Sequence, residues 1–194
     1  MKRLLAYMLL VLVLTFNFQS LTKADDIRDF QIEGMSIGDS LLDYFTKEEI
    51  KKERKFYLLG GKLLEGYSKV FKMNNNEAYD YVVLYFESDD TKYIIQGISG
   101  RIYYKNNINE CYKTQEKIVN EIKLIIPNAE IVPLKKIKHS RFKNSYLRTT
   151  SFLFNDSDIS VFCYDFSKKD TTSMDRLSVI IRFEKMNNFI RSNK

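Results

Sequence analysis

The chain has 194 residues, with 31 Lys and Arg against 25 Asp and Glu, 44% hydrophobic residues, 13 Tyr and 14 Phe. That composition excludes an intrinsically disordered chain, and the length suits one domain with a real core. The formal charge of +6 is mild, and without Lys2, Arg3 and Lys23 it is 28 bases against 25 acids, an excess that demands no polyanionic partner.

Lys2 and Arg3 precede an unbroken apolar run from Leu4 to Leu14. Asn17, Gln19 and Ser20 end it, and Thr22 and Ala24 stand at −3 and −1 before Asp25. This is the pattern of a cleavable secretory signal over residues 1–24, leaving 25–194 as a single domain. The run is too short to cross roughly 30 Å of hydrocarbon, which takes about 20 apolar residues. No cysteine lies near the cut to carry a lipid. The expected setting is therefore periplasmic or secreted, where nucleic acid is not an expected partner.

Asp29 to Glu33 reads as an extended lead-in. Ser36 with Asp39, then Thr46 with Glu49, are spaced to cap two short helices, the first turning Leu41 and Leu42 to the core. Phe56–Leu59 and Gly66–Met73 read as strands around Gly60-Gly61, and Asn74-Asn75-Asn76 breaks the second. Tyr79–Glu87 is the clearest strand, and Lys92–Tyr104 returns as its hairpin partner. Gly97 and Gly100 in that return suggest a bulge or tight bend. Asn107 with Glu110 caps a long helix over 108–126. Ile118, Ile122, Ile125 and Ile126 form its apolar face, with Cys111 and Gln115 upstream. Pro127 stops it.

Residues 129–144 read as an irregular basic stretch. Arg148–Phe154 and Ile159–Phe166 form a second hairpin around Asn155-Asp156-Ser157-Asp158. After a polar loop over 167–173, Leu177–Glu184 is the last strand, and a tail follows. Strands joined by tight turns pair antiparallel, and one long helix must bury its stripe on the sheet. The expected fold is α+β: an open antiparallel sheet with one long helix packed across it and two short N-terminal helices.

Cys111 and Cys163 are the two cysteines. An even count in an oxidising compartment invites a bridge, which here would staple helix to sheet. Two separate buried thiols would act instead as small hydrophobes. His139 stands among Lys135, Lys136, Lys138, Arg141 and Lys143, with Phe142 and Tyr146 interleaved. This 135–148 stretch is a candidate loop for an anionic polymer, a phosphate or a lipid surface, or else a solvated loop. One histidine supplies no histidine-based metal site, so no metal or cofactor is expected. Asp89-Asp90 and Asp156-Ser157-Asp158 lack calcium-loop spacing and read as turns. Tyr79, Tyr81 and Tyr85 share strand parity and Phe86 takes the other face. Those tyrosines, with Tyr93, Tyr103 and Tyr104, form either an aromatic binding face or cross-strand pairs.

Ile37-Gly38-Asp39-Ser40-Leu41-Leu42-Asp43 resembles the first block of the GDSL esterase family, which implies Ser40 as a nucleophile. In that family the base is a histidine three residues after an aspartate, and further blocks supply Gly and Asn oxyanion donors. Here His139 follows Lys136 by three residues and no Gly-x-Asn-Asp block exists. The family's parallel sheet also conflicts with these hairpins.

A second resemblance rests on Asp25-Asp26-Ile27-Arg28-Asp29-Phe30-Gln31-Ile32-Glu33-Gly34-Met35-Ser36-Ile37-Gly38-Asp39-Ser40 and Val161-Phe162-Cys163-Tyr164-Asp165-Phe166-Ser167. These runs are similar to an exported family of low-GC, Pelagibacter-like marine alphaproteobacteria. The resemblance implies a periplasmic setting and nothing catalytic. The functional expectation is a non-enzymatic binding or accessory domain of the envelope, whose partner is an envelope protein or a small ligand. The alternatives are a serine esterase, or a protein held peripherally on a surface by its basic loop.

Overall fold

The computed structural model describes residues 27–59, 62–73, 78–105, 107–139, 142–154, 157–167 and 174–193. The leader over 1–24, the Gly60-Gly61 and Asn155-Asp156 turns, the Asn74–Asn76 break and Arg141 lie outside the described residues.

Among the described residues, eight strands come in two runs of four. The first run is β1 (Lys55–Leu59), β2 (Lys62–Met73), β3 (Tyr81–Glu87) and β4 (Gly97–Tyr104). The second is β5 (Glu130–Lys138), β6 (Tyr146–Phe154), β7 (Ser157–Asp165) and β8 (Asp175–Phe183). They join into one open sheet in the order β1-β2-β3-β4-β8-β7-β6-β5. Every neighbouring pair is antiparallel. The helices are α1 (Lys47–Glu53), α2 (Ile108–Ile125) and α3 (Glu184–Ser192), with 3-10 turns at Ile27–Asp29 and Leu41–Asp43. The architecture is the expected one: an open antiparallel sheet with one long helix across it.

Successive side chains on a strand point to opposite faces, so the register assigns every residue to one of two. The first face carries Val82, Leu84, Phe86, Ile98, Ile159, Val161, Leu177, Val179 and Ile181, all buried. Helix α2 lies across it because Cys111, Gln115, Val119 and Ile122, at helical spacing, form its buried stripe. Asn107 Oδ1 accepts the Glu110 N–H and starts the helix. Ile27, Ile32, Met35, Ile37 and Leu41 close the rest of this core from the N-terminal segment. Cys111 at the start of α2 and Cys163 in β7 are joined by a disulfide, with both residues fully buried. The bridge spans 52 residues of chain, a separation at which the loop-entropy model gives about 4 kcal/mol.

The second face is covered only in part. Helix α3 follows β8 directly and sets Met186 and Ile190 against Tyr67, Val83 and Tyr85. Each four-stranded run thus ends in a helix, and the two helices take opposite faces.

Several local expectations are corrected. The first cap is Ser40 with Asp43, not Ser36 with Asp39, and Leu42 is exposed while Leu41 is buried. The Lys92–Tyr104 return is a strand only from Gly97, and it carries no bulge at Gly97 or Gly100. Those glycines serve close approach instead. A Cβ on Gly97 would lie 2.8 Å from Met186 Sδ, and one on Gly100 would lie 2.6 Å from the Tyr79 ring. Residues 130–138 are strand β5, where an irregular stretch was expected. Its Lys and Pro content, which depressed the strand reading, is what an edge strand carries to block further pairing. The tail is helix α3, and its apolar Met186 and Ile190 are buried.

Candidate functional site

The uncovered part of the second face is built by alternate residues of six strands. Lys55 and Tyr57 of β1, Lys69 and Phe71 of β2, and Tyr81 of β3 occupy one side, with the buried Tyr85 of β3 at its boundary under α3. Arg101 and Tyr103 of β4, Arg176 of β8, and Phe162 and Tyr164 of β7 continue it. Tyr81 stands opposite Arg101, and Arg176 stands between Tyr103 and Tyr164 in the ladder.

The aromatic rings of this face contact one another in separate groups. Tyr57 meets Tyr85 edge-on at 5.5 Å, and Tyr81 meets Tyr103 at 5.9 Å. Tyr164 and Phe166 stack at 6.0 Å, and Phe142 and His139 flank Phe166 at 5.2 and 5.7 Å. The Arg176 guanidinium lies 4.3 Å above the Tyr164 ring centre. Arg101 Nη2 donates to the Tyr85 hydroxyl at 3.4 Å. Lys55 and Lys69 both hold their ammonium groups over the Phe71 ring, at 5.4 and 5.3 Å. Rings of this kind stabilise cations that have left water.

These cations are crowded, and none of them forms an ion pair among the described residues. Neither Arg101 nor Arg176 makes an ion pair with any carboxylate of the described residues. The Nε of each is buried without a hydrogen-bond acceptor. Burial, then the Arg101 guanidinium and the Lys55 ammonium, hold the Lys69 amine below the usual lysine value. Burial and Arg101 likewise lower Arg176. Burial, helped by Tyr85, pushes the Tyr57 phenol up to about 12, so this ring stays a neutral hydrogen-bonding group at physiological pH. The arrangement offers two guanidinium forks and two ammonium groups, framed by phenols and flat rings. Such groups suit an anion with a ring or planar body.

The residues proposed from sequence are distributed differently. Lys135 faces the Thr149 side of the sheet, whereas Lys136 and Lys138 face the Arg148 and Tyr146 side. Lys136 Nζ sits 4.8 Å above the Tyr146 ring and 3.5 Å from Asp165 Oδ2. Lys143 lies in the turn before β6, exposed. Ser40 is engaged as a cap: its hydroxyl accepts from Leu42 N and donates to the Lys92 carbonyl at 2.8 Å. His139 packs against Phe142, Tyr164 and Phe166, and its Nδ1 accepts from Phe142 N. Asp90 organises its turn by accepting from Lys92 and Ile94 N–H groups. Asp158 is no turn residue but a buried member of β7, ion-paired to Arg182. Of the tyrosines, Tyr81 and Tyr103 join the open face, and Tyr85 lies buried at its edge under α3. Tyr79 precedes β3 and folds over Gly100 on the α2 side.

Sequence reasoning missed Arg101, Arg176, Lys55 and Lys69 as a group. The alternation Arg101-Ile102-Tyr103 was legible, since it puts a cation and a ring on one face. The β4–β8 pairing that adds Arg176 was not, because those strands lie far apart in the chain. Comparison with protein-family models, curated proteins and solved structures finds no match to this chain.

Proposed function

We propose that this chain is an exported, non-enzymatic binding domain of the cell envelope, and that it holds an anionic, ring-bearing ligand on the Arg101–Arg176 face. An acidic sugar or a phosphorylated sugar fits that description. One observation carries the reading: Lys55, Lys69, Arg101 and Arg176 gather on a tyrosine-lined face with no ion pair among the described residues, where neighbouring cations help to lower Lys69 and Arg176 while phenols raise Arg101. Folding gains nothing from such crowding, and a bound anion relieves it. The exported setting rests on the leader and on the resemblance to the exported alphaproteobacterial family. The engagement of Ser40 as a helix cap favours binding over ester hydrolysis.

Calorimetric titration of residues 25–194 with glucuronate, glucose 6-phosphate and inorganic phosphate at low salt tests the proposal. Saturable binding is expected for the ring-bearing anions. Replacing both Arg101→Gln and Arg176→Gln should weaken it about a hundredfold or more, the worth of two charge-assisted contacts. No binding to any of the three, or equal binding by the double variant, overturns the ligand assignment. A native protein that begins at Met1 overturns the exported setting. Hydrolysis of a p-nitrophenyl ester that disappears in Ser40→Ala overturns the non-enzymatic part.

A further inference from the structure

Arg101 and Arg176 stand at diagonal positions on adjacent strands, since Arg101 pairs with Ser178 and Arg176 pairs with Tyr103. Side chains so placed start about 7–8 Å apart and reach over the same patch of sheet. The Arg101 charge acts on Arg176 and also on Lys69. Three cations thus converge, and the fourth, Lys55, shares the Phe71 ring with Lys69.

The Arg176 guanidinium sits over the rings of Tyr164 and Phe166, 4.3 and 5.2 Å from their centres. A guanidinium held against rings keeps its in-plane N–H edge for an anion. Arg101 uses Nη2 on the Tyr85 hydroxyl. The Nε of each arginine is enclosed, whereas the Nη ends of these half-buried side chains are not. A carboxylate carries one charge and two oxygens in one plane, so a single guanidinium fork satisfies it. Two forks and a lysine exceed that need. A phosphate monoester has three terminal oxygens pointing different ways and a charge of about −2 at neutral pH. No carboxylate among the described residues pairs with any of the three cations, so no acid of the protein competes for the second charge.

We propose, resting on the anion-binding reading above, that this face selects a dianionic phosphate monoester, a phosphorylated sugar over a uronic acid. Two phosphate oxygens accept from the Nη groups of Arg101 and Arg176, and the third faces Lys69. The sugar ring lies by Tyr103, which neighbours Arg176 in the ladder and meets Tyr81 edge-on.

The test is calorimetric titration of residues 25–194, at constant low ionic strength between pH 5 and 8, with glucose 6-phosphate, glucose 6-sulfate and glucuronate. The sulfate ester keeps the tetrahedral shape but carries one charge, which does not change over this range. At pH 7.5 glucose 6-phosphate should bind about tenfold or more tighter than either monoanion, the worth of one further charge-assisted contact. Its advantage over the sulfate should shrink to about twofold at pH 5, as the phosphate takes up the proton whose pKa is about 6. The sulfate arm subtracts any titration of the protein itself, including that of His139 beside Phe166. Arg176→Lys keeps the charge and loses the fork. It should cost glucose 6-phosphate about tenfold and glucuronate less than about threefold, because a carboxylate still has the Arg101 fork. Arg101→Lys makes the same comparison if the first variant fails to fold. Equal affinity for the phosphate and sulfate esters at pH 7.5, an advantage that persists unchanged at pH 5, or tightest binding by glucuronate overturns this inference and leaves the anion-binding reading standing. Absence of binding by all three removes that reading and this inference with it.

Discussion

Arg176 and Arg182 stand on the same strand and the same face, yet the protein treats them oppositely. Arg182 lies across from Asp158 of β7 and forms a two-pronged pair with it, at 2.8 and 3.3 Å. Asp158 also accepts from Ser160 at 2.6 Å and from the Asn187 side chain of α3. Arg176 lies across from Tyr164 and receives a ring instead of a carboxylate. The end of the face under α3 is therefore closed and charge-matched, and the open end is charge-crowded. Of two half-buried arginines on one face, one is given an acid and the other a ring.

Four experiments break or sharpen this contrast. Asp158→Asn, which turns the matched end into an unmatched one, has the largest expected effect. A buried arginine left without its acid costs about 3–5 kcal/mol, measured as a lower midpoint in urea at pH 7. A loss under about 1 kcal/mol would mean that the pair is not what holds α3 to the sheet.

Alkaline pH should affect both ends alike, because desolvation is common to them. Burial raises Tyr57 in the open end and Tyr67 beneath α3, each to about 12 from 10.0. The folded state thus holds these protons more tightly than the unfolded chain. The stability they give is complete below pH 10 and is lost as pH rises through about 12. Thermal melts between pH 8 and 12, alongside phenolate absorbance, should show a falling midpoint and a late-ionising set of tyrosines. A flat midpoint through pH 12 contradicts the shifts.

Arg176→Gln should change stability by no more than about 0.5 kcal/mol, against the several lost at Asp158. Chemical denaturation of the two variants side by side measures the asymmetry directly. A loss above about 2 kcal/mol would show Arg176 to be structural, and the contrast would collapse.

Lys69→Gln carries a comparably small effect, of stabilising sign. Lys69 has its folded value lowered, so the folded chain binds that proton less tightly than the unfolded one. Protonated Lys69 therefore opposes folding at neutral pH, and the opposition fades as pH rises from its folded value toward 10.5. Removing the charge should stabilise by about 0.5 kcal/mol in low salt while weakening anion binding. A destabilised variant would place the amine in a structural role.

The periodic parts of the fold were legible early. Thr46 and Glu49 form the expected reciprocal cap. The Cys111, Gln115 and Ile122 stripe is buried as its spacing implied, but Val119 completes it, and the expected Ile118 and Ile125 are only half-buried beside it. The strand around Val82–Phe86 is continuous and buried. These depend on neighbours within a turn or a hairpin. β5 was not legible, because the alternation of an edge strand is broken by Lys, Pro and a register shift. Helix α3 was hidden for a related reason: only Met186, Asn187 and Ile190 of its nine residues are buried.

The amino-acid sequence by itself determined the antiparallel α+β class, the long capped helix and the cysteines available to tie it down. Local periodicity, capping and turn chemistry act over a few residues, so they can be read along the chain. Only the tertiary structure decided that β4 and β8 meet and that α3 covers one end of a face and leaves the other open. Which arginine receives an acid and which a ring follows from that meeting. Pairing between distant strands sets those neighbours, and no local pattern encodes it.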